Sequence, residues 1–549
     1  MKTRIVLALS FFISACNVAP PLPTLAPTAT LRLNTPTRES ATQRVMAPTP
    51  GSATPIPNTV AAQVTQSAAQ PPVSASASPL SVIDLYVDPA KGDDGRTGAT
   101  RDAALRTVTE AWNRIPKSKT LTQGYRIRLA AGVYKPGDLP NYWEMRYGTE
   151  RAPIILQGEG DVKLPPINMF DVRWFYLIGV QVEGREGDVL HCERCDHFFV
   201  QRSKIVGVGD VTKHDAPQET IKINQSQYVF IEDSDVSGAF DNAIDFVAVQ
   251  HALIRRNKIH RAGDWCTYAK GGSAYIRVEA NEIYDCGTGG FTAGQGTGFE
   301  FMTPSWLKYE AYDVKVINNV IHDTQGAGVG VNGGYNILIA HNTMYRVGKI
   351  SHLLEVVFGF RSCDGDFKRC AENLSNGGWG TSTVGGDGEP IPDRNMFIYN
   401  NVIYNPAGYQ SQWQHLAIYG GRKPSPDSNI PSPALTDVNL QIRGNVIWNG
   451  TKDHPLGIED ADQGCQPSNA TCNAAKIRAD NAINTLQPQF ADFAKGDLHP
   501  AGNLLTAKIF SIPIFAWDQN VPAGDLNNDV KVDRDGKART IPVAGAYTK

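Results

Sequence analysis

Residues 219–286 read ETIKINQSQYVFIEDSDVSGAFDNAIDFVAVQHALIRRNKIHRAGDWCTYAKGGSAYIRVEANEIYDC, and one unit recurs in them three times. Each unit has a short run, a turn, a second run, and a polar residue two positions before an aliphatic one. The runs alternate apolar with polar residues and are rich in Val, Ile, Tyr and Phe, so they are strands. The closing signature is an aliphatic residue, two positions, a small residue or Asn, one position, and an aliphatic residue. It appears as Leu177/Val180/Val182, Val200/Ser203/Ile205, Ile231/Ser234/Val236, Ile254/Asn257/Ile259 and Val278/Asn281/Ile283. It continues as Val316/Asn319/Ile321, Ile339/Asn342/Met344, Ile398/Asn401/Ile403 and Ile442/Asn445/Ile447. The commonest spacing is about two dozen residues, which is the period of a solenoid.

The predicted fold class is therefore all-β, a parallel β-helix in which each turn adds a strand to each sheet about 4.8 Å above the last. The recurring Asn suits an internal ladder at a sharp bend, where stacked amides bond to one another and tolerate a left-handed backbone. A leucine-rich repeat needs a Leu-rich consensus that is absent. The longer gaps, Asn281 to Asn319 and Asn342 to Asn401, predict long loop insertions in single turns, where binding faces are commonly built.

Ahead of the repeats, IDLYVDPAKGDDGRTGATRDAALRTVTEAWNRI opens at Ile83, and a further strand ends in Ala131-Gly132-Val133-Tyr134. This order, with a helix predicted from about Ala104 to Ile115, resembles the start of many extracellular right-handed parallel β-helix proteins, polysaccharide lyases among them. The resemblance implies that the helix caps the open end, where backbone groups and core would otherwise be exposed. The tail, Gly524 to Gly536 and then Val543 to Tyr547, resembles the closing segment of the same superfamily. Its acidic run lacks the central Gly of a calcium loop and reads as a structural cap. The expected division is a β-helix over 81–483 and a closing segment over 484–549.

The first residues stand apart. Lys2 and Arg4 precede an apolar run from Ile5 to Ile13, of signal-peptide length. Ile13-Ser14-Ala15-Cys16 resembles a bacterial lipobox, which implies cleavage before Cys16 and lipidation of its thiol. Residues 17–80 are Pro, Thr, Ala and Ser with few aromatics, and are expected to form a disordered tether. The expected location is extracytoplasmic, on the cell surface, with the membrane reached through the lipid. Eight further cysteines fit an oxidising compartment. Cys363 to Cys370 and Cys465 to Cys472 suggest loop staples, and Cys266 and Cys286 could link neighbouring turns. Cys192-x-x-Cys195 reads as a local disulfide or two free thiols. A formal net charge of −3 and the lack of a basic run give no reason to expect nucleic acid. A monomer is expected.

The chemistry concentrates in the opening stretch. Lys222, Asp245 and Lys270 fall in the first runs of successive units, and stacked turns would align them in one column. Asp241 lies just ahead of the middle run, Glu219 a turn earlier and Asp264 a turn later. Uronic-acid polymers are cut by β-elimination when the carboxylate next to C5 is neutralised and the C5 proton removed. Calcium suits the first task and a lysine with a depressed pKa the second. The arrangement resembles the family-nine type of pectate lyase, which implies that Asp241 and Asp245 are calcium ligands and Lys270 the base. Glu219 stands where that pattern has an aspartate, and Asn242 replaces another acid. Glu219, Asp241, Asp245 and Asp264 form the expected metal set. Lys222, Arg277 and Trp306 are the expected substrate-binding residues, the arginine for a carboxylate and the tryptophan for sugar stacking. Structural uses compete: Lys222 can balance Asp245, and Arg277 can be a surface charge. A two-carboxylate glycoside hydrolase, an epimerase or a non-catalytic glycan-binding protein would suit the same solenoid.

Overall fold

The computed structural model describes residues 82–212, 218–382 and 388–549. The expected leader, Cys16 and the tether lie outside these residues. The chain is a right-handed parallel β-helix with three faces. One face is a ten-stranded sheet, here called the floor, running from Trp143–Glu144 to Leu416–Ile418. The other two merge into a 22-stranded sheet, because Gly124–Val133 and Ile154–Leu164 are long enough to bend across the corner between them. Pairing along all of these ladders is parallel. Alternation puts one set of side chains inside and the next outside. On the floor, Ile221, Ile223, Ile244, Phe246, Thr267, Ala269, Phe291 and Ala293 are fully or almost fully buried.

The recurring asparagines form a ladder at the bend between the second and third faces. Asn257 Nδ2 donates to Asn281 Oδ1 (3.0 Å), Asn281 to Asn319, Asn319 to Asn342, Asn342 to Asn401, Asn401 to Asn445 and Asn445 to Asn481. Each amide oxygen also accepts the backbone N–H of the rung before it, as Asn281 Oδ1 does from Asn257 N (2.9 Å). The left-handed residue is not the Asn itself, as the sequence suggested, but its predecessor. Arg256, Ala280, Asn318, His341, Asn400 and Gly444 all have positive φ. The Asn side chain satisfies the backbone groups which that bend turns inward.

The capping helix is shorter than predicted, covering Val108–Asn113. Asp94 accepts from the N–H groups of Arg106 and Thr107, and Leu105 N bonds Tyr86 O, so the chain is pinned in a turn up to Thr107. Thr107 then caps the helix by accepting from Glu110 N (3.1 Å). Pro116 disfavours helical geometry at Ile115. Trp112 is buried edge-on to Trp143, 4.8 Å away, and closes the core at this end.

All four cysteine pairs are closed: Cys192–Cys195, Cys266–Cys286, Cys363–Cys370 and Cys465–Cys472. Beyond Ile483 the chain turns back and lies along the outer face of the second sheet. Asn400 donates to Phe510 O (2.9 Å), Lys315 Nζ lies 2.6 Å from Asp525 Oδ2, and Arg534 donates to Asn281 O (2.6 Å). Phe510, Ile512 and Phe515 cover Leu338, Phe397 and Tyr399 there.

Replacing Asn281 by Ala removes the acceptor of two bonds from Asn257 and two donated bonds, to Ile254 O and Asn319. Asn281→Ala should therefore cost about 2–4 kcal/mol of stability in urea unfolding. A change within error would mean that the ladder does not hold the turns.

Candidate active site on the floor of the solenoid

Register decides which floor side chains meet. Lys222 opposes His191 on one side and Asp245 on the other. Asp245 opposes Tyr268, and Tyr268 opposes Thr292. Lys270 opposes Val247 instead. It shares the outward face with Asp245 but stands in the neighbouring column, two residues further along its strand. The expectation of one column carrying all three residues is corrected accordingly. The spacing explains it: Lys222 to Asp245 is 23 residues, and the same step from Asp245 arrives at Tyr268.

The acids gather where the chain enters the floor. Asp241 N bonds Gln218 O (3.1 Å), Asp264 N bonds Asp241 O (3.0 Å) and Thr288 N bonds Asp264 O (3.0 Å), so these positions stack rung on rung. The Cys266–Cys286 disulfide staples the same corner, Cys286 being in register with Ala262. Lys222 Nζ lies 2.7 Å from Glu219 Oε1 and 3.1 Å from Asp245 Oδ2. Asp245 is 1 % exposed.

Charge crowding perturbs the whole group. Burial, then the charges of Asp264, Glu219 and Asp245, push the Asp241 carboxyl up to about 7, against the pull of Lys270. Burial pushes Asp245 up to about 6; Lys222 opposes this and Glu219 adds to it. Glu219 and Asp264 are also raised, chiefly by burial. Burial disfavours the Lys222 charge, but Asp245, Glu219 and Asp188 outweigh it and keep the amine charged well above the usual lysine range. Lys222 is thus the built-in counter-ion of the cluster, with two carboxylate partners for its three N–H donors. Burial and the carboxylates of Asp245, Glu219, Asp241 and Asp264 keep the Tyr268 phenol protonated.

Lys270 stands at the other edge of the floor. Its Nζ lies 4.4 Å from the centre of the Tyr268 ring and donates to Gln295 Oε1 (2.9 Å). Gln295 begins an inserted wall in which Gly296–Gly298 pairs with Gly359–Ser362. The wall is pinned by Arg361 and Glu310, a fully buried pair with Nη2 and Oε1 2.7 Å apart. The second oxygen of Glu310 accepts from Thr297 Oγ1 (2.6 Å) and from Gly271 N (3.0 Å), the residue after Lys270. Gly272 has φ +80°, and a Cβ there would sit 2.1 Å from Trp306 O, so the chain after Lys270 requires glycine.

Two expected substrate residues lie elsewhere. Arg277 is on an outer strand of the second sheet, between Leu253 and Lys315, and its guanidinium pairs with Glu279. Trp306 packs at the corner behind Lys270, edge-on to Tyr275 at 6.1 Å, and lines a cleft with Lys308, Asn376 and Asn520. Neither lies among the floor residues. Tyr268 was overlooked although the 23-residue step reaches it. Gln295, Glu310 and Arg361 sit in insertions where the repeat gives no register.

The donor chemistry suits a hard cation. Asp245 and Glu219 share the Lys222 amine, and Glu219 helps to raise the Asp245 carboxyl. Asp245 Oδ1 and Asn242 Oδ1 are buried with no donor among the described residues. Only a proton, a water or a cation can satisfy such oxygens, and carboxylate and amide oxygens are calcium ligands. Among the described residues, however, no three of Glu219, Asp241, Asp245 and Asp264 bring a ligand atom each within 4.8 Å of one another, so the expected metal set is not drawn together as a closed cage. The groups that do converge, Glu300 with Cys363 and Cys370 and Asp437 with Cys465 and Cys472, each contain a closed disulfide and offer no thiolate.

Residues 190–352, which carry this cluster, match the family described as "Right handed beta helix region". Among curated proteins the sequence has no match. A rhamnogalacturonan lyase is similar in structure at 11% identity, with a TM-score of 0.41 over 66% of this chain and 87% of the other. Pectate lyase Pel9A is similar at 14% identity, with a TM-score of 0.36 over 85% and 96%. The A-module of the mannuronan C-5 epimerase AlgE6 of Azotobacter vinelandii is similar at 13% identity, with a TM-score of 0.33 over 60% and 86%. Such distant likenesses carry no argument about activity; the chemistry has to come from the residues.

The crowding has a signature in stability. The native Asp241 carboxyl titrates at about 7, whereas an unfolded aspartate titrates at about 3.9. The native state keeps a proton the unfolded chain has released, so this contribution is present below the lower value and lost as pH rises through the upper one. Asp241→Asn should raise the melting temperature by a few degrees at about pH 8 and leave it nearly unchanged at about pH 4. A variant melting no higher than the wild type at alkaline pH would contradict the like-charge cluster.

Proposed function

We propose that the protein is an extracytoplasmic enzyme acting on polysaccharide, specifically a lyase that cleaves a uronic-acid polymer by β-elimination with Lys270 as the base. The observation that carries this reading is the placement of the Lys270 amine over the face of the Tyr268 ring, 4.4 Å from its centre, beside a cluster of buried carboxylates. In such a reaction Lys270 takes the C5 proton, the C4–O bond breaks as C4 and C5 become doubly bonded, and the leaving oxygen takes a proton from Tyr268. Gln295 holds the amine at the floor edge through its 2.9 Å bond. Lys222 keeps Glu219 and Asp245 in place as their counter-ion. Calcium held by Asp241, Asp245 and Asp264 would neutralise the substrate carboxylate and so acidify the C5 proton. The four closed disulfides support export to an oxidising compartment. A lipid on Cys16 would then tether the enzyme to the membrane.

One observation favours a second reading. A carboxyl titrating at about 7, as Asp241 does, is also what a glycosidase needs in its general acid, with a second carboxylate as partner. The product separates the two, since elimination leaves a double bond that absorbs in the ultraviolet and hydrolysis does not.

Pectate, alginate and glycosaminoglycans should be offered to the enzyme with calcium and with chelator. We expect ultraviolet-absorbing product with one of them, dependent on calcium. Lys270→Ala should lower its rate by about 10²–10⁴-fold, the span of general-base catalysis. Undiminished unsaturated product from that variant would remove Lys270 from the mechanism, and new reducing ends without absorbance would select the hydrolase.

A further inference from the structure

The strand-exit edge of the floor continues well beyond Lys270. From Lys270 the column runs through Gly294, Asn332 and Val357 to Tyr419, the residue after the last floor strand. Four rungs separate the ends, about 19 Å at the spacing of a parallel sheet. The wall follows the same edge, for Gln295 O accepts from Phe360 N (2.8 Å). At its far end stands Arg422.

Arg422 is exposed, yet it is held. Its guanidinium lies 5.3 Å from the ring centres of Phe358 and Tyr419 and 6.0 Å from that of Phe360. Its backbone is bridged to Ala434 in both directions, at 2.9 and 2.8 Å. Among the described residues it has no carboxylate partner. Three aromatic faces fix the plane of the cation and leave its N–H fork open, which is the geometry that binds a carboxylate with two bonds. One rung nearer Lys270, towards the opposite edge of the floor, stands a carboxyl group. Glu355 lies in the column of Asp245 and Tyr268, reached through Thr292 and Gly330, and its Oε2 is 2.9 Å from His352 Nε2. A uronate laid across these two rungs would turn its carboxylate towards Arg422 and its hydroxyls towards Glu355.

We propose that Arg422 binds a carboxylate of an acidic polysaccharide chain at the far end of the groove whose near end holds Lys270. The site then grips a chain long enough to cover both. This rests on the groove being the polysaccharide site, though not on the elimination chemistry. The full chain and its Arg422→Ala and Arg422→Lys variants should be titrated calorimetrically with oligosaccharides of galacturonate, mannuronate and guluronate, as trisaccharides and decasaccharides, and with a neutral xylose decasaccharide. An acidic decasaccharide should bind the wild type and lose about ten-fold in affinity with Arg422→Ala. Any affinity for the trisaccharide, too short to span the groove, should be unchanged, and Arg422→Lys should recover part of the loss. Unchanged melting temperatures would show that the variants fold. Equal affinity of wild type and Arg422→Ala for the decasaccharide would overturn the proposal. So would an equal loss with the trisaccharide, neutral decasaccharide binding as tightly, or no acidic decasaccharide binding at all. Binding that responds to Arg422 without formation of a double bond would leave Arg422 in place and discard the lyase.

Discussion

The bond between one asparagine amide and the next is the interaction on which the molecule depends. Each turn bends through a residue with positive φ, and for a non-glycine residue that conformation costs about 1–2 kcal/mol. Arg256, Ala280, Asn318, His341 and Asn400 all occupy it. The asparagine that follows meets the exposed backbone N–H of the rung before and donates to the amide of the rung after. Because the same residue does this on successive rungs, the ladder also fixes the vertical alignment of the turns. Glycine would relieve the bend but could not build the column, and it appears at the preceding position only at Gly444.

Alignment is what makes a site out of scattered residues. Asp241 and Asp264 meet because their rungs are in step, and Lys222 reaches Asp245 for the same reason. Several acids this close are held only because one ammonium sits among them and protons remain at ordinary pH. The cluster is therefore loaded against itself, and its energetics favour whatever positive charge can enter. Lys270 and Tyr268 stand at the margin of this field, with the amine braced by Gln295 on the insertion side. The buried Glu310–Arg361 pair fastens that insertion to the backbone directly after Lys270.

Much of this was legible in the residues, and the limits have physical causes. The solenoid could be read because its signature recurs over nine turns, so that single ambiguities average out. The acid cluster could be read because Asp241, Asp245 and Asp264 belong to turns of regular length. Lys270 was placed in the wrong column by two residues, since it was judged by the run it occupies and not by counting from Asp245. Arg277 belongs to the second run of its turn, and alternation tells inside from outside but not how far that run stands from the floor. The helix was drawn too long because helical periodicity is blind to Asp94, whose carboxylate holds the preceding turn from a dozen residues away. Pairs such as Glu310 and Arg361 belong to insertions, where no period exists to relate them.

Solenoids made of nearest-neighbour contacts can fray from either end, each repeat peeling away from the next. Here the returning C-terminal segment ties rungs distant in sequence to one another, since Arg534 bonds Asn281 O while Phe510 bonds Asn400. Rungs between those two cannot detach singly while that tie is in place. A linear array is thereby turned into one cooperative body around the stretch that carries the acids and the lysine. The cost is slow assembly, because the tie can form only after the turns it clasps have been stacked.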